Sequence, residues 1–452
     1  MIVFFIRLHT DYGGDAQEHS ETRMACATHS QSESMKGRMK KLFLGCLLLI
    51  VVTGSALTTV AAEKTEIELY YYKQEIVSQM RELAAAFSSK YPDISIKLTM
   101  IPNDNMVTIK ARMASGDAPE IIQLQSYAAV FEFAKAGWLV DLTDEPVLSK
   151  VAAGAKNAVT YNGRIYALPM DMAGIGIIYN KDIFAEYGLE PPSTFRELRA
   201  VCSTLKKNDV VPFAALLKAN WSMGHFISMV HTTLAGSKLL PWLDQMNEGK
   251  ASFADPINKR EFFRIMDFYK ANLGKNAAEM DQNEQNAAFA SGQAAMMVQG
   301  LWSYQACLVI NPKLNCGFIP FPVNNNPADS KLFADVDSTF ALSATASPDK
   351  MKAAKLFLNW LASPEAIKIW VERCKLVPTF KGADVSKMEE PFQDLVRYMN
   401  EGKTNPWAFS MYPVAVFEDA CKTGAQEYML GLRNADDVLK YIDDTWQREI
   451  SR

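Results

Sequence analysis

Several places in the chain set amides, carboxylates or aromatic rings where an apolar, strand-like run ends. Lys73, Gln74 and Glu75 follow directly on the run Ile67 to Tyr72. Gln123, Gln125 and Ser126 close a second run that begins at Glu120. Asp171 stands two residues beyond Pro169, where one strand pattern stops and another, Ala173 to Tyr179, begins. Asp337 occupies a second break of the same kind, and Trp302 follows Gly300 beyond the run Ala294 to Val298. Trp221, Trp407 and Tyr412 fall in or beside the segments Asn220-Trp221-Ser222 and Asn405-Pro406-Trp407. Rings offer a flat apolar platform, and amides and carboxylates exchange hydrogen bonds with hydroxyls. Together they suit a molecule with apolar C–H faces ringed by hydroxyls, as a sugar has. Each residue also has a plainer use. Glu75 can favour the dipole of the helix that follows it. Asp171 can satisfy backbone donors freed at the break, and buried tryptophans are commonplace. Trp138, Trp360, Trp370 and Trp446 lie in apolar patterns and are assigned to packing.

Other chemistry leaves no trace. Gly174-x-Gly176 is half a dinucleotide fingerprint, but the third glycine position is Tyr179 and the pair lies inside a strand pattern. There is no Walker loop, no G-x-S-x-G elbow, no H-E-x-x-H and no Cys-x-x-Cys. Of the 5 histidines, only His225 and His231 lie beyond the N-terminal segment, and their spacing of six does not bring them together on a helix. No carboxylate pair stands out as acid and base. A catalytic role, a metal and a cofactor are therefore not expected. With a formal net charge of −4, nothing points to nucleic acid.

The elements that must carry these residues alternate. Ile67–Tyr72 reads as a strand, Ile76 to Lys90 as a helix, and Ile94–Ile101 as another strand, a unit that favours a parallel sheet. A helix over Met106–Ser115, a strand to Leu124 and a helix over Tyr127–Ala136 extend it. Asn162-Gly163 is the strongest hairpin-turn pair available. Pro169 ends the strand after it, so the chain is expected to leave one sheet there and enter a second. Thr194-x-x-Glu197 is a capping box for a helix over Phe195–Lys207. Asp255-Pro256 predicts the start of a helix reaching Ala271. Phe318 to Val323 is too proline-rich for a central strand, and the end of the chain reads as mostly helical.

The stretch YNGRIYALPMDMAGIGIIYNKD from Tyr161 resembles the signature of the extracellular solute-binding proteins of ABC importers, the group that includes maltose-binding protein. Four further segments resemble the same family in order: DAPEIIQLQSYAAVFEFAKAGWLVDLT from Asp117, AAFASGQAAMMVQGLW from Ala287, STFALSATASPDKMKAAKLFLNWLASPEA from Ser338, and VPTF from Val377. The resemblance implies an α/β fold of two discontinuous lobes, the type II periplasmic-binding-protein fold. Its boundaries are expected at residues 63–171 and 337–381 for lobe one, with 172–336 and 382–452 for lobe two. It also implies a hinge near Met170–Met172, Val336–Ser338 and Lys381. By the resemblance, Asp171 faces a ligand and Gly300-x-Trp302 supplies a stacking ring. The family often has an acidic residue near Gln125, and the amide here hints at a different hydroxyl pattern. The implied partners are a carbohydrate ligand, expected to be an oligosaccharide, and the permease subunits of an ABC transporter, with the chain a monomer. The same fold holding a sugar phosphate, polyamine or metal chelate, a sugar sensor, or a glycan-processing enzyme are the alternatives. A phosphate would want an arginine, and none of the candidate places contains one.

A chain of 452 residues with 49% hydrophobic and 22% charged residues has material for two or more globular domains. Met39-Lys40-Lys41, the apolar run Leu42–Val52 and the small residues Val60-Ala61-Ala62 read as a signal peptide. The run is short of the roughly 20 residues of a membrane span. Residues 1–62 are thus expected to be leader and signal peptide, with translation starting at Met35 or Met39 and export to the periplasm or outer face of the membrane. A lipid anchor at Cys46 is rejected because too short an apolar run precedes it. Cys202, Cys307, Cys316, Cys374 and Cys421 read best as buried small hydrophobes without bridges.

Overall fold

Strand β1 (Thr65–Tyr71) alternates, sending Ile67, Leu69 and Tyr71 into one core and Tyr70 into another. It is buried on both faces, as a strand covered by helices on either side must be. In the computed structural model, residues 64–101, 106–255 and 257–451 are described. The leader, the signal peptide and Pro256 of the expected Asp255-Pro256 cap lie outside them.

Strands β2 (Ile94–Met100) and β3 (Ile121–Gln125) both run parallel to β1. The turn at Asn162 and Gly163, with φ of 49° and 77°, joins β4 (Thr160–Tyr161) to β5 (Arg164–Ile165) as a two-residue hairpin. β6 (Ala167–Pro169) then joins the first sheet and β7 (Asp171–Asn180) the second. The remaining strands are β8 (Val211–Ala214), β9 (Ala294–Gly300), β10 (Cys316–Ile319), β11 (Leu332–Val336), β12 (Ser338–Leu342), β13 (Val377–Pro378) and β14 (Thr404–Asn405). The first sheet has the order β2-β1-β3-β12-β6; the second runs β14-β11-β7-β9-β8, with β10 and β13 also pairing β7. This is the expected two-lobe α/β architecture.

Helices Val77–Lys90, Pro348–Leu361 and Pro364–Glu372 pack one face of the first sheet through Phe87, Phe357 and Trp370. Burying each such aromatic or aliphatic side chain contributes about 1.5–3 kcal/mol relative to leaving it exposed. The second sheet is centred on β7, whose Ile175 and Ile177 face the core under helix Asn220–Ala235, and whose Ile178 faces Phe318 and Leu395. The capping box of Thr194 and Glu197 forms as expected. The helix expected up to Ala271 opens instead with a π turn, Ile257–Phe262, before Phe263–Lys270. All five cysteines among the described residues are buried and unpaired.

The proline-rich run Phe318 to Val323 forms no central strand: only Phe318 and Ile319 of it are paired, and only with β7. Cys316–Ile319 pairs antiparallel with β7 over Asn180 to Ile177, and the chain leaves the ladder at Pro320, so the prolines fall where no donor is needed. Val377 to Phe380 was expected wholly in lobe one. Instead Val377 and Pro378 pair with Met172 and Asp171 in the second sheet, while Phe380 bridges to Val151 on the first side. This segment is a third crossing.

The glycines of the Gly174-x-Gly176 pair have a packing role. A Cβ on Gly176 would lie 2.5 Å from the carbonyl oxygen of Ile319, so β10 can approach β7 only over a bare backbone. Gly176→Ala should therefore lose about 1–3 kcal/mol of stability, read as a lower midpoint in chemical denaturation. Gly154→Ala, where nothing lies within 4 Å, should leave the midpoint unchanged or raise it. Equal midpoints for the two variants would contradict this account.

Candidate functional site

The ends of β1 and β3, the second crossing and the starts of several second-lobe helices open onto one cavity of about 910 Å³. From the first lobe come Tyr72, Lys73, Gln74, Glu75 and Gln125; Asp337 comes from the crossing between β11 and β12. The second lobe contributes Asn220, Trp221 and His225 from helix Asn220–Ala235. Gln282, Asn283 and Asn286 come from helix Gln282–Ala290. Trp302, Lys218, Glu418, Lys422 and Gln426 complete this wall.

At the crossing, Lys73 Nζ donates to Asp171 Oδ2 at 2.7 Å and to Asp337 Oδ2 at 2.5 Å. Ser338 Oγ donates to the other oxygen of Asp171, and the Asp337 N–H to the Asp171 carbonyl at 2.9 Å. Burial alone would pull the Lys73 ammonium down, but the two carboxylates outweigh it and hold it above the usual lysine value. Asp171 is pushed up by burial, with Asp337 adding to that, against the pull of Lys73 and Ser338. Glu75 is likewise raised, chiefly by burial. Two carboxylates on one ammonium leave an excess of negative charge in the knot.

The opposite wall is aromatic. Trp221, His225 and Trp302 have ring centroids 5.5–6.3 Å apart. His225 stacks on Phe417 at 5.7 Å, and Trp407 stands perpendicular to Trp302 at 6.4 Å, outside the cavity lining. Burial, helped by Lys422, pushes the His225 imidazole down to about 3, so it stays neutral. Its Nδ1 is buried without a hydrogen-bond partner among the described residues. Gly300 permits the platform: a Cβ there would lie 2.2 Å from the Trp302 ring, which folds back over the end of β9. A buried amide chain fixes that end, with Gln285 Nε2 donating to the Ala214 carbonyl, Gln299 Nε2 to Gln285 Oε1 and the Gly300 N–H to Gln299 Oε1.

The candidates divide. Lys73, Gln74, Glu75, Gln125, Trp221, Trp302 and Asp337 share the cavity. Four others sit behind it. Asp171, expected to face a ligand, is instead fully buried, its two oxygens accepting from Lys73 and Ser338. Ser126 is buried and donates through Oγ to the Val336 carbonyl at 2.7 Å. Trp407 packs behind Trp302, its Nε1 donating to the Phe333 carbonyl at 3.0 Å and its backbone N–H to Asp335 Oδ2 at 3.1 Å. Tyr412 is buried and shares a 3.0 Å hydrogen bond with His231 Nδ1. Gln123 is buried too, accepting from the Tyr72 N–H at 3.0 Å.

Sequence reasoning passed over His225 and the amides Gln282, Asn283 and Asn286. Their signal was available: Asp281 and Glu284 form a capping box, and amides at the start of the helix it opens sit at its N-terminus. Asn286 Oδ1 is buried without a partner among the described residues. No group of three His, Cys, Asp or Glu able to hold a metal occurs among the described residues.

Burial holds His231 down at about 3, whereas an unfolded histidine titrates at about 6.5. Below that value the unfolded chain binds a proton that the folded chain refuses. The contribution of His231 is therefore intact above about 6.5 and lost progressively as pH falls toward 3. The unfolding free energy of wild type relative to His231→Gln should decline between about pH 7 and about pH 4.5. A difference flat across that range would show that His231 titrates normally in the folded protein.

Residues 72–368 match the family model described as bacterial extracellular solute-binding protein. The chain is 25% identical over 368 residues to a multiple sugar-binding protein of Streptococcus mutans, covering 80% of this chain and 86% of that one. It is 24% identical over 427 residues to the melibiose/raffinose/stachyose-binding protein MelE of Bacillus subtilis, covering 90% and 95%. Among solved structures, a chitin oligosaccharide binding protein superposes with a TM-score of 0.77 at 21% identity, over 86% of this chain and 100% of that one. The solute-binding protein RafE in complex with raffinose gives 0.76 at 22%, over the same shares. These superpositions establish the fold, and the family match, which covers more than half of the chain, makes it a member of the bacterial extracellular solute-binding proteins.

Proposed function

We propose that the protein captures a neutral oligosaccharide outside the cytoplasmic membrane and delivers it to the permease of an ABC importer. The observation that carries the ligand class is the make-up of the cavity: indole rings set among amides on the second-lobe wall, facing amides and carboxylates at the first-lobe edge. That matches a sugar's apolar faces and its hydroxyls. The relatives named for multiple sugars and for melibiose, raffinose and stachyose support the same reading. So does the cavity, near the upper end of the roughly 300–1,000 Å³ range of small-molecule sites, with room for more than one ring. Two of the three lining lysines have carboxylate neighbours, Lys73 at Asp171 and Asp337 and Lys422 at Glu418, Lys218 is exposed at the edge, and no arginine lines the cavity to hold a phosphate.

In this reading the lobes are residues 63–171 with 337–376, and 172–336 with 382–452, and they bend at the crossings near Met170–Met172, Val336–Ser338 and Val377–Lys381. Ligand that touches both lobes favours the closed form, which the permease receives. We read the chain as a monomeric carrier without a catalytic step, exported by the signal peptide within residues 39–62.

Thermal shift against raffinose, stachyose, maltotriose and chitin oligosaccharide should give a raised melting point with at least one, since a ligand of the native state stabilises by mass action. Trp302→Ala should weaken the best of these by about 2 kcal/mol, roughly thirtyfold. No shift with any member at millimolar concentration would refute the carbohydrate assignment. An unchanged affinity in Trp302→Ala would remove the ring from the site.

A further inference from the structure

We infer that Lys73 is a positioning residue that acts through Asp337. It anchors one oxygen of that carboxylate so that the other is presented to a ligand hydroxyl at the point where the chain crosses between lobes. This rests on the carbohydrate reading above.

The two oxygens of Asp337 have different fates. Oδ2 accepts from Lys73 Nζ at 2.5 Å, whereas Oδ1 has no partner among the described residues. The side chain is 13% exposed and lines the cavity. Lys73 itself is poorly placed to serve a ligand directly. Its side chain is 3% exposed, and two of the three N–H donors of an ammonium are spent on Asp171 and Asp337. Asp171, fully buried, fixes the ammonium from behind, and Ser338 in turn holds Asp171.

Asp337 also sits at a crossing between the two sheets. It lies alone between β11 in the second sheet and β12 in the first. Its backbone N–H reaches the Asp171 carbonyl at 2.9 Å, Met170 N–H reaches the Ser338 carbonyl at 2.9 Å, and Thr379 N–H reaches the Met170 carbonyl at 3.0 Å. The three crossings are thus laced together around the knot. A hydroxyl that donates to Oδ1 forms a charge-assisted hydrogen bond, which is stronger than a neutral one. It does so with a group whose position is set by the crossings, so affinity depends on hinge geometry. Removing the ammonium frees Asp337 to turn and leaves Oδ1 without a fixed direction.

The test is titration calorimetry with the tightest-binding sugar of the raffinose, stachyose, maltotriose and chitin oligosaccharide panel. Lys73→Met and Asp337→Asn should each weaken binding roughly tenfold or more. The double variant should bind no more weakly than Asp337→Asn alone, because residues acting through one contact are not additive. A lysine with a merely structural role would give losses that add. Lys73→Met leaves two carboxylates facing each other. If it fails to fold, Lys73→Met with Asp171→Asn removes one of those charges together with the ammonium, and should show the same loss at a near-native melting point. Binding within about twofold of wild type in either form, or additive losses, overturns the inference while leaving the carbohydrate reading intact. If wild type binds no member of the panel, the carbohydrate reading falls and this inference falls with it.

Discussion

A chain that passes repeatedly between two sheets must bury polar groups where it crosses, and the fold depends on satisfying them. An ionised carboxylate left alone in such a place costs several kcal/mol and is tolerated only when paired and hydrogen-bonded. Here one ammonium, Lys73, meets the carboxylates of two crossings, Asp171 and Asp337. Asp335, one strand earlier in the chain, faces the same problem and solves it with neutral donors. Its oxygens accept from the Tyr127 hydroxyl at 3.1–3.2 Å, from the Val336 N–H at 2.8 Å and from the Trp407 N–H at 3.1 Å. Tyr127 reaches it from a backbone with φ of 57°, a strained conformation for a side chain of that size. The crossing is over-determined by polar contacts, which is what allows the strand ends on either side to converge on one cavity.

The two walls are built on different terms. The aromatic wall is completed within the second lobe: Trp302 rests near Trp407, His225 on Phe417 and Phe409, and Gly300 leaves the space into which the indole folds. Nothing from the first lobe is needed to orient those rings, so they are pre-organised and lose little freedom when an apolar face settles on them. The polar edge is different. Gln74 is exposed, and Gln125 and Asp337 are half-buried, at the ends of elements that belong to the other sheet or to the crossing. A ligand lying on the rings meets those groups only from across the gap, and this makes the polar contacts the ones that report how the lobes are set.

What was legible in the sequence follows this division. The hairpin at Asn162-Gly163, the box at Thr194, the strand break at Pro169 and the residues that follow strand ends are local signals, and local physics decides them. Lys73, Gln125 and Trp302 were found because the end of a strand in an α/β sheet is where a cleft opens. Which way a side chain faces is settled by tertiary packing. Asp171 and Asp337 looked alike in sequence, yet one is fully buried and the other opens on the cavity. Trp407 and Tyr412, aromatic residues beside a proline-containing loop, turned inward because Phe333, Phe409 and Trp446 pack around them. The prolines after Ile319 confined β10 to a short strand with one partner, as composition allows, but the register at which pairing stops is set by its approach to β7.

The distribution of charge bears on what the cavity can discriminate. Three lysines line it, of which Lys73 is engaged by two carboxylates and Lys422 by Glu418, while Lys218 stands exposed at the edge. Glu75 is raised by its burial, and His225 stays neutral. The excess negative charge of the Lys73 knot is largely buried, so long-range steering contributes little to choice. What remains is directional: the buried Asn286 Oδ1, the His225 Nδ1 and the amides of Gln282 and Asn283. Asn286 Oδ1 and His225 Nδ1 are buried without a partner among the described residues, and such dipoles disfavour an analogue that lacks the matching hydroxyl more than one that merely adds a methylene, because the mismatch leaves them desolvated and unpaired. On the carbohydrate reading proposed above, choice among sugars rests on hydroxyl stereochemistry across these polar groups, with the aromatic wall fixing where the rings of the ligand lie.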